Sequence, residues 1–183
     1  MRAIERFTLC FLVAISICRA DAAGPAIADL TGQLRHPLNP AGKTASVLIF
    51  YWHDCPICNT YAPEINRITQ RYTNFNFFIV QVDPDLTIAA AQRHAKDYDL
   101  HAPVLLDTHH ILVNLAKATT APEAVIFSDH RKILYRGRID NLFANLANKR
   151  SEATEHDLRD ALDAISIGKP APRQPPPVGC LIP

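Results

Sequence analysis

The segment from Trp52 to Cys58, WHDCPIC, constrains the fold more than any other part of the sequence, because it joins two different hydrophobic patterns. Residues 46–52 before it are a continuous apolar, β-rich run without alternation, which is typical of a strand buried on both faces. Residues 56–72 after it carry apolar side chains at helical spacing. The sequence therefore predicts a buried strand that leads into a helix, with two cysteines at the junction.

The alternation of strand and helix continues along the chain. We predict further strands at 76–82, 103–106, 123–128 and 132–136, the last two joined as a hairpin, and helices at 83–98, 109–117 and 155–167. Asp83 followed by Pro84 is a favourable helix start, since aspartate caps and proline fits the first turn. This order predicts an α/β fold with a central mixed β-sheet flanked by helices on both faces.

The first 22 residues have the pattern of a secretory leader. Arg2 and Arg6 precede a short apolar run at 7–17, and Ala20-Asp21-Ala22 has the small-x-small pattern of a cleavage site. The apolar run is too short to span a bilayer, so we expect no stable membrane insertion. We predict that residues 1–22 are removed and that the protein is exported, to a periplasm or outside the cell, where disulfides persist.

Three further regions follow the leader. Residues 23–43 read as an irregular lead-in, and 44–168 as the folded domain. Residues 169–183 are rich in proline and predict an extended tail rather than packed structure, ending near Cys180. The net charge of +1 and the lack of glycine-rich phosphate-binding motifs argue against nucleic-acid and nucleotide ligands.

Cys55 and Cys58 are three residues apart at a predicted helix start, close enough to form a small disulfide loop. A thiol at a helix N-terminus meets free N–H groups and the positive end of the dipole, which favour the thiolate. We therefore expect Cys55 to be the attacking sulfur and Cys58, inside the first turn, to be the buried resolving thiol. The carboxylate of Asp54 opposes ionisation, whereas a protonated His53 would favour it.

The motif and its surroundings resemble the thioredoxin-like superfamily, in its redoxin or peroxiredoxin-like branch, related to AhpC/TSA proteins. The strand ends in aromatic residues, Pro63 follows Cys58 where thioredoxins kink the helix, and Pro122 precedes a later strand. The resemblance implies that Pro122 is a cis-proline facing the reactive sulfur and that Trp52, Pro56 and Ala121 help to form a substrate groove. It also implies protein disulfides, dithiols or a redox protein as partners, and no cofactor or metal.

Several alternatives stay open at this point. A thiol peroxidase would use Cys55 on peroxides, although Trp52 and Leu48 stand where peroxiredoxins have threonine and proline. A copper or other metal chaperone would use both cysteines, and a structural clip would use neither chemically. His53, Glu64 and Cys180 are candidate auxiliary residues: a local cation, a proton acceptor for Cys58, and a tail thiol able to reach the site.

Overall fold

The computed structural model describes residues 24–183, so the predicted leader lies outside the described residues. Its strands are β1 (Ile27–Ala28), β2 (Leu34–Arg35), β3 (Ser46–Tyr51), β4 (Asn76–Gln81), β5 (Val104–Leu106), β6 (Thr120–Ala121), β7 (Glu123–Phe127), β8 (Ile133–Gly137), β9 (Phe143–Asn145), β10 (Asn148–Lys149) and β11 (Cys180–Leu181). The helices are α1 (Pro56–Arg71), α2 (Ile88–Asp97), α3 (Ile111–Ala116) and α4 (Asp157–Ser166). In this part of the chain no helix is long and apolar enough to cross a membrane.

A five-stranded sheet in the order β5-β4-β3-β7-β8 forms the centre of the domain. Strands β3, β4 and β5 are parallel, while β7 runs antiparallel to both β3 and β8. All six residues of β3 are buried, as its unbroken apolar sequence predicts for a central strand. The predicted mixed sheet with helices on both faces is confirmed, and the carboxyl end of its central strand presents the cysteine motif.

The second helix begins later than its sequence predicts. Asp83 does not cap it; its carboxylate instead accepts the N–H of Asp85 within a turn. The helix starts at Ile88, and the hydroxyl of Thr87 accepts the Ala90 N–H at 3.2 Å. Threonine is an effective N-cap as well as aspartate, so local propensity allows the helix to begin after Asp83 or after Thr87. The turn after β4, which uses the Asp83 carboxylate, selects the later start.

The C-terminal tail is extended, as predicted, but the expectation that it stays unpacked is wrong. The N–H of Arg138 donates to the Pro175 carbonyl at 3.1 Å, and the Arg136 N–H donates to the Gln174 side chain at 3.1 Å. At its far end β11 pairs antiparallel with β6. The prolines keep the tail extended, while the free edge of β8 and the β6 segment supply backbone partners along its length.

The lead-in also contains structure that the sequence did not reveal. Strands β1 and β2 form a small hairpin, and Asp29 makes an isolated bridge to Leu105 at the edge of the main sheet. Asp29 accepts hydrogen bonds from Thr31 and from Arg35, and these contacts lower its pKa to about 2. A charged carboxylate thus closes the hairpin.

Candidate active site

Cys55 occupies the N-cap position of α1, directly after the turn that follows β3. Its N–H donates to the Trp52 carbonyl at 3.0 Å, and its own carbonyl accepts the Asn59 N–H at 3.0 Å, the first bond of the helix. Pro56 is the first helical residue, where its missing N–H costs nothing. Cys55 therefore stands at the positive end of the helix dipole, a position that favours a thiolate in the reduced protein, although its side chain makes no capping hydrogen bond here.

Cys55 forms its disulfide with Cys180, not with Cys58. The two bonded residues are 125 positions apart in sequence, with 6.2 Å between their Cα atoms. Cys58 is a free, buried thiol. The predicted Cys55–Cys58 pairing is therefore not the pairing in this structure, because the tail returns across the domain and brings the auxiliary thiol to the reactive sulfur.

Cys58 lies inside the first turn of α1 with no exposed surface. Burial raises the pKa of its thiol to about 12, although the Trp52 N–H, which donates to the sulfur at 3.4 Å, partly opposes that rise. At neutral pH this sulfur is a protonated thiol. A protonated thiol is a poor nucleophile, so its position agrees with the prediction of a buried second thiol but its protonation state limits its reactivity.

The segment before β7 faces Cys55, as the resemblance to thioredoxins implied. The Ala121–Pro122 peptide bond is cis. The Ala121 carbonyl oxygen lies 3.6 Å from the Cys55 sulfur, and both Ala121 and Pro122 are buried. Pro56 is exposed beside Cys55, and Trp52 is half-buried against the core. The structure thus places Ala121 and Pro122 beside Cys55, whereas Trp52 and Pro56 are its neighbours along the chain, and the substrate groove stays a prediction.

Asn59 organises the polar groups behind the cysteines, although no sequence pattern pointed to this role. Its amide nitrogen donates to the His53 carbonyl at 2.9 Å, while its oxygen accepts the Tyr51 hydroxyl at 2.9 Å. The Nε2 atom of His94 lies 2.9 Å from the same oxygen. Burial lowers the pKa of His94 and raises that of Tyr51. The neutral groups of this cluster fix the turn between β3 and α1.

His53 lies between two carboxylates. Its Nε2 is 3.2 Å from Asp54 and its Nδ1 is 3.3 Å from Asp83, an ion-pair distance for Nδ1 without hydrogen-bond geometry. These three residues form the single group among residues 24–183 whose side chains could jointly ligate a metal ion. The group contains no cysteine, so it does not match the cysteine-based site of a copper chaperone.

Glu64, the candidate proton acceptor, is occupied elsewhere. One carboxylate oxygen lies 2.7 Å from Arg159 on α4, and the other accepts from Arg67 at 2.8 Å. With both oxygens bound to guanidinium groups, Glu64 ties α1 to α4, and nothing in its contacts supports proton transfer with Cys58.

Glu123, which sequence reasoning did not single out, lies directly after the cis-proline. Its carboxylate accepts the Thr119 N–H at 3.1 Å and lies 3.7 Å from Arg136. Burial raises its pKa. It supports the loop before Pro122, where the tail is also bound.

A family comparison agrees with this geometry. The model of the AhpC/TSA family matches residues 29–136, more than half of the chain. The chain belongs to the AhpC/TSA family. No curated protein matches the sequence. This AhpC/TSA protein has Leu48 and Trp52 at the two positions where peroxiredoxins have proline and threonine. Leu48 is buried within β3, and Trp52 packs against the core.

Solved structures share the fold of this AhpC/TSA protein. A hypothetical protein from Sinorhizobium meliloti superposes with a TM-score of 0.74 at 23% identity, covering 88% of this chain and 91% of that one. An uncharacterized conserved protein from Geobacillus kaustophilus gives 0.71 at 22% identity, with 86% of each chain covered. A secreted disulfide oxidoreductase of Mycobacterium tuberculosis, described as homologous to DsbE of E. coli, gives 0.56 at 18%, covering 80% and 97%.

Proposed function

We propose that this AhpC/TSA protein is an exported thiol–disulfide oxidoreductase in which Cys55 is the attacking sulfur. The observation that carries the proposal is the position of the Cys55 sulfur: it lies at the N-terminus of α1, 3.6 Å from the Ala121 carbonyl, and is already joined to a second cysteine on a paired strand. A sulfur that accepts one extended cysteine-bearing segment in this groove is suited to accept another.

The chemistry is two successive exchanges at Cys55. Its thiolate attacks one sulfur of a protein disulfide, and the other substrate sulfur leaves and takes up a proton. A second cysteine of this chain then attacks Cys55, so that the captured substrate sulfur leaves as a thiol. The sequence prediction assigned the second attack to Cys58 through the Cys55-Pro56-Ile57-Cys58 dithiol. Both Cys58 and Cys180 are within the site, and partners are protein disulfides, dithiols or a redox protein.

Export is the second part of the proposal. It is supported by the leader pattern in residues 1–22 and by the disulfide, since such bonds persist outside the cytosol. The structural relative from M. tuberculosis is described as secreted. N-terminal sequencing of the exported protein tests this part: a first residue at Ala23 supports it, and an intact Met1 contradicts it.

The catalytic part is tested by reduction of insulin disulfides with dithiothreitol as the electron donor. We expect Cys55→Ser to lower the rate to that of dithiothreitol alone, because Cys55 is the N-cap of α1 and the other thiol of this turn, Cys58, is buried and protonated. His130→Ser, in the exposed turn between β7 and β8, is the control and should retain the wild-type rate. Unchanged activity in Cys55→Ser contradicts the proposal, and rapid consumption of hydrogen peroxide with little insulin reduction would favour the peroxidase alternative instead.

A further inference from the structure

The end of the tail is bound as a short strand directly beside the reactive sulfur. Cys180 is paired with Ala121 and Leu181 with Thr120, in antiparallel register. The Ile182 N–H extends the ladder by donating to the Thr119 carbonyl at 3.0 Å. Because backbone hydrogen bonds hold this strand, the Cys180 sulfur is placed at Cys55 by the fold and not by the disulfide alone.

Gly179 makes this approach possible. It is buried, and a Cβ atom at this position would lie 2.1 Å from the Ala121 carbonyl oxygen and 2.6 Å from the carbonyl carbon. Both atoms are backbone that cannot move aside without disturbing the cis-proline loop. The residue before Cys180 must therefore be glycine if the two backbones are to meet at this distance.

The tail is also anchored upstream of Cys180. Arg173 lies 3.0 Å from Asp157 on α4, and Pro175 and Gln174 bind the backbone of Arg138 and Arg136. Cys180 is five positions after Pro175, which allows a reach of about 15 Å in an extended chain. The end of the tail can thus leave the groove while its base stays bound, and return to the same place.

The two thiols available to Cys55 differ in reactivity. Cys58 is fully buried with a pKa raised to about 12, so its thiolate is rare at neutral pH. Cys180 is half-buried, on a strand that ends at the exposed Leu181. Thiol–disulfide exchange requires the thiolate and access to the attacked sulfur. Burial and the raised pKa disfavour Cys58, whereas the paired strand already places the Cys180 sulfur on Cys55.

From these observations, and resting on the proposed function, we propose that Cys180 is the resolving thiol of this protein. In the dithiol form of this protein, a partner's extended segment displaces the tail, and the Cys55 thiolate attacks the partner's disulfide, so that one partner sulfur bonds to Cys55 and the other leaves and takes up a proton. The returning tail takes back the β6 edge, the Cys180 thiolate attacks the Cys55 sulfur, and the Cys55–Cys180 bond forms as the bond to the partner breaks. The partner sulfur leaves and takes up a proton, so two thiols of this chain have reduced one partner disulfide.

A single-turnover reaction with one equivalent of 5,5′-dithiobis(2-nitrobenzoate) separates the steps. Attack by Cys55 releases the first coloured thiolate, and resolution releases the second. In Cys180→Ser we expect the first phase at the wild-type rate and the second slowed at least about tenfold at pH 7, reflecting the small thiolate fraction of Cys58. Cys58→Ser and Cys58→Ala, two variants in case one folds poorly, should keep both phases. Peptide mapping of the trapped adduct should place it on Cys55.

Gly179→Ala tests the seating of the tail with all thiols present. It should keep the first phase and slow the second, because the added methyl group keeps the strand from its place. Leu181→Ala is the matched control: its side chain is 76% exposed on the same strand, so both phases should stay as in the wild type. A purely structural role for Gly179 would not divide the two phases in this way.

The outcomes separate this inference from the proposed function. A normal second phase in Cys180→Ser that is lost in the Cys58 variants means that Cys58 resolves, which overturns the inference and leaves the oxidoreductase intact. Absence of a Cys55 adduct in every variant overturns both.

Discussion

Cys55 has a sulfur neighbour on each side, and the two lie in very different surroundings. The inner one, Cys58, is enclosed by the first turn of α1 and the turn after β3, with the Trp52 N–H as its polar partner. The outer one, Cys180, is carried in from the C-terminus on a two-residue strand. The contrast shows that the thiol closest in sequence is disfavoured by its burial and raised pKa, whereas the thiol from far along the chain is bonded to the reactive sulfur.

The largest expected difference between Cys58 and Cys180 is in their rates of alkylation in the reduced protein. A pKa of about 12 in place of the ordinary 9 leaves Cys58 with about a thousandfold less thiolate than an unperturbed thiol at neutral pH. Iodoacetamide should therefore modify Cys180 at least about a hundred times faster than Cys58, measured by quenched mass spectrometry. Urea should abolish the difference. Equal rates in the folded protein would mean that the inner thiol is accessible and ionised, contrary to the structure.

The strand, helix and site loop were predictable because their signals are local. The unbroken apolar run of β3, the cysteine motif and Pro122 each lie within a few residues of the structure that they specify. The start of α2 was misplaced, since Asp83 is drawn into the turn beside His53. Asn59 was missed, and the contact of Glu64 with Arg159 was not foreseen, because both depend on partners in other elements, which no spacing in one segment reveals.

The pairing of Cys55 with Cys180 could not be derived, for a related reason. The sequence showed that the tail was long enough to reach the site but not which backbone it would bind. That choice depends on the edge at Thr120 and Ala121 and on contacts of Gln174 and Pro175 with β8. These contacts join segments far apart in sequence, so they are set by the assembled fold and not by local propensity.

A second, intermediate effect concerns pH. In Cys180→Ser only Cys58 can resolve the adduct, and its raised pKa means that the thiolate fraction rises about tenfold for each pH unit through the neutral and mildly alkaline range. The rate of the second phase should therefore rise about tenfold from pH 7 to 8 and again from 8 to 9. Stopped-flow absorbance measures it. A rate that is level from pH 7 upward would show that Cys58 has a strongly lowered pKa in the adduct, and a rate that levels off near pH 9 would show an ordinary one.

The smallest expected effect is on the stability that Glu123 contributes, since its carboxylate binds the loop at Thr119 to which the tail also bonds. Burial raises its pKa, so the folded protein holds this proton more tightly than the unfolded chain. Its contribution to stability is therefore present at acid pH and is lost as the pH rises from about 4.5 through the folded pKa. Glu123→Gln removes this dependence while keeping an oxygen for the Thr119 N–H.

We expect the Tm of the wild type to fall by a few degrees relative to Glu123→Gln between pH 4 and pH 7, as about 1 kcal/mol corresponds to roughly 2–4 °C at this size. Thermal unfolding followed by circular dichroism measures the difference. Parallel Tm curves for the two proteins would show that Glu123 is not strained by its burial, and that Arg136 compensates it fully.

The path of the tail also depends on two glycines, where backbone atoms approach too closely for a side chain. A Cβ on Gly137 would lie 2.5 Å from the Pro175 carbonyl, just as one on Gly179 would collide with Ala121. Gly137 leaves room for the tail to cross the last strand of the sheet, and Gly179 leaves room for its end to pair beside Cys55. In a chain of this fold, glycine at both positions and a cysteine after the second allow the C-terminal tail to cover the reactive sulfur. Larger residues at these positions would keep the tail away and leave that sulfur accessible to other proteins.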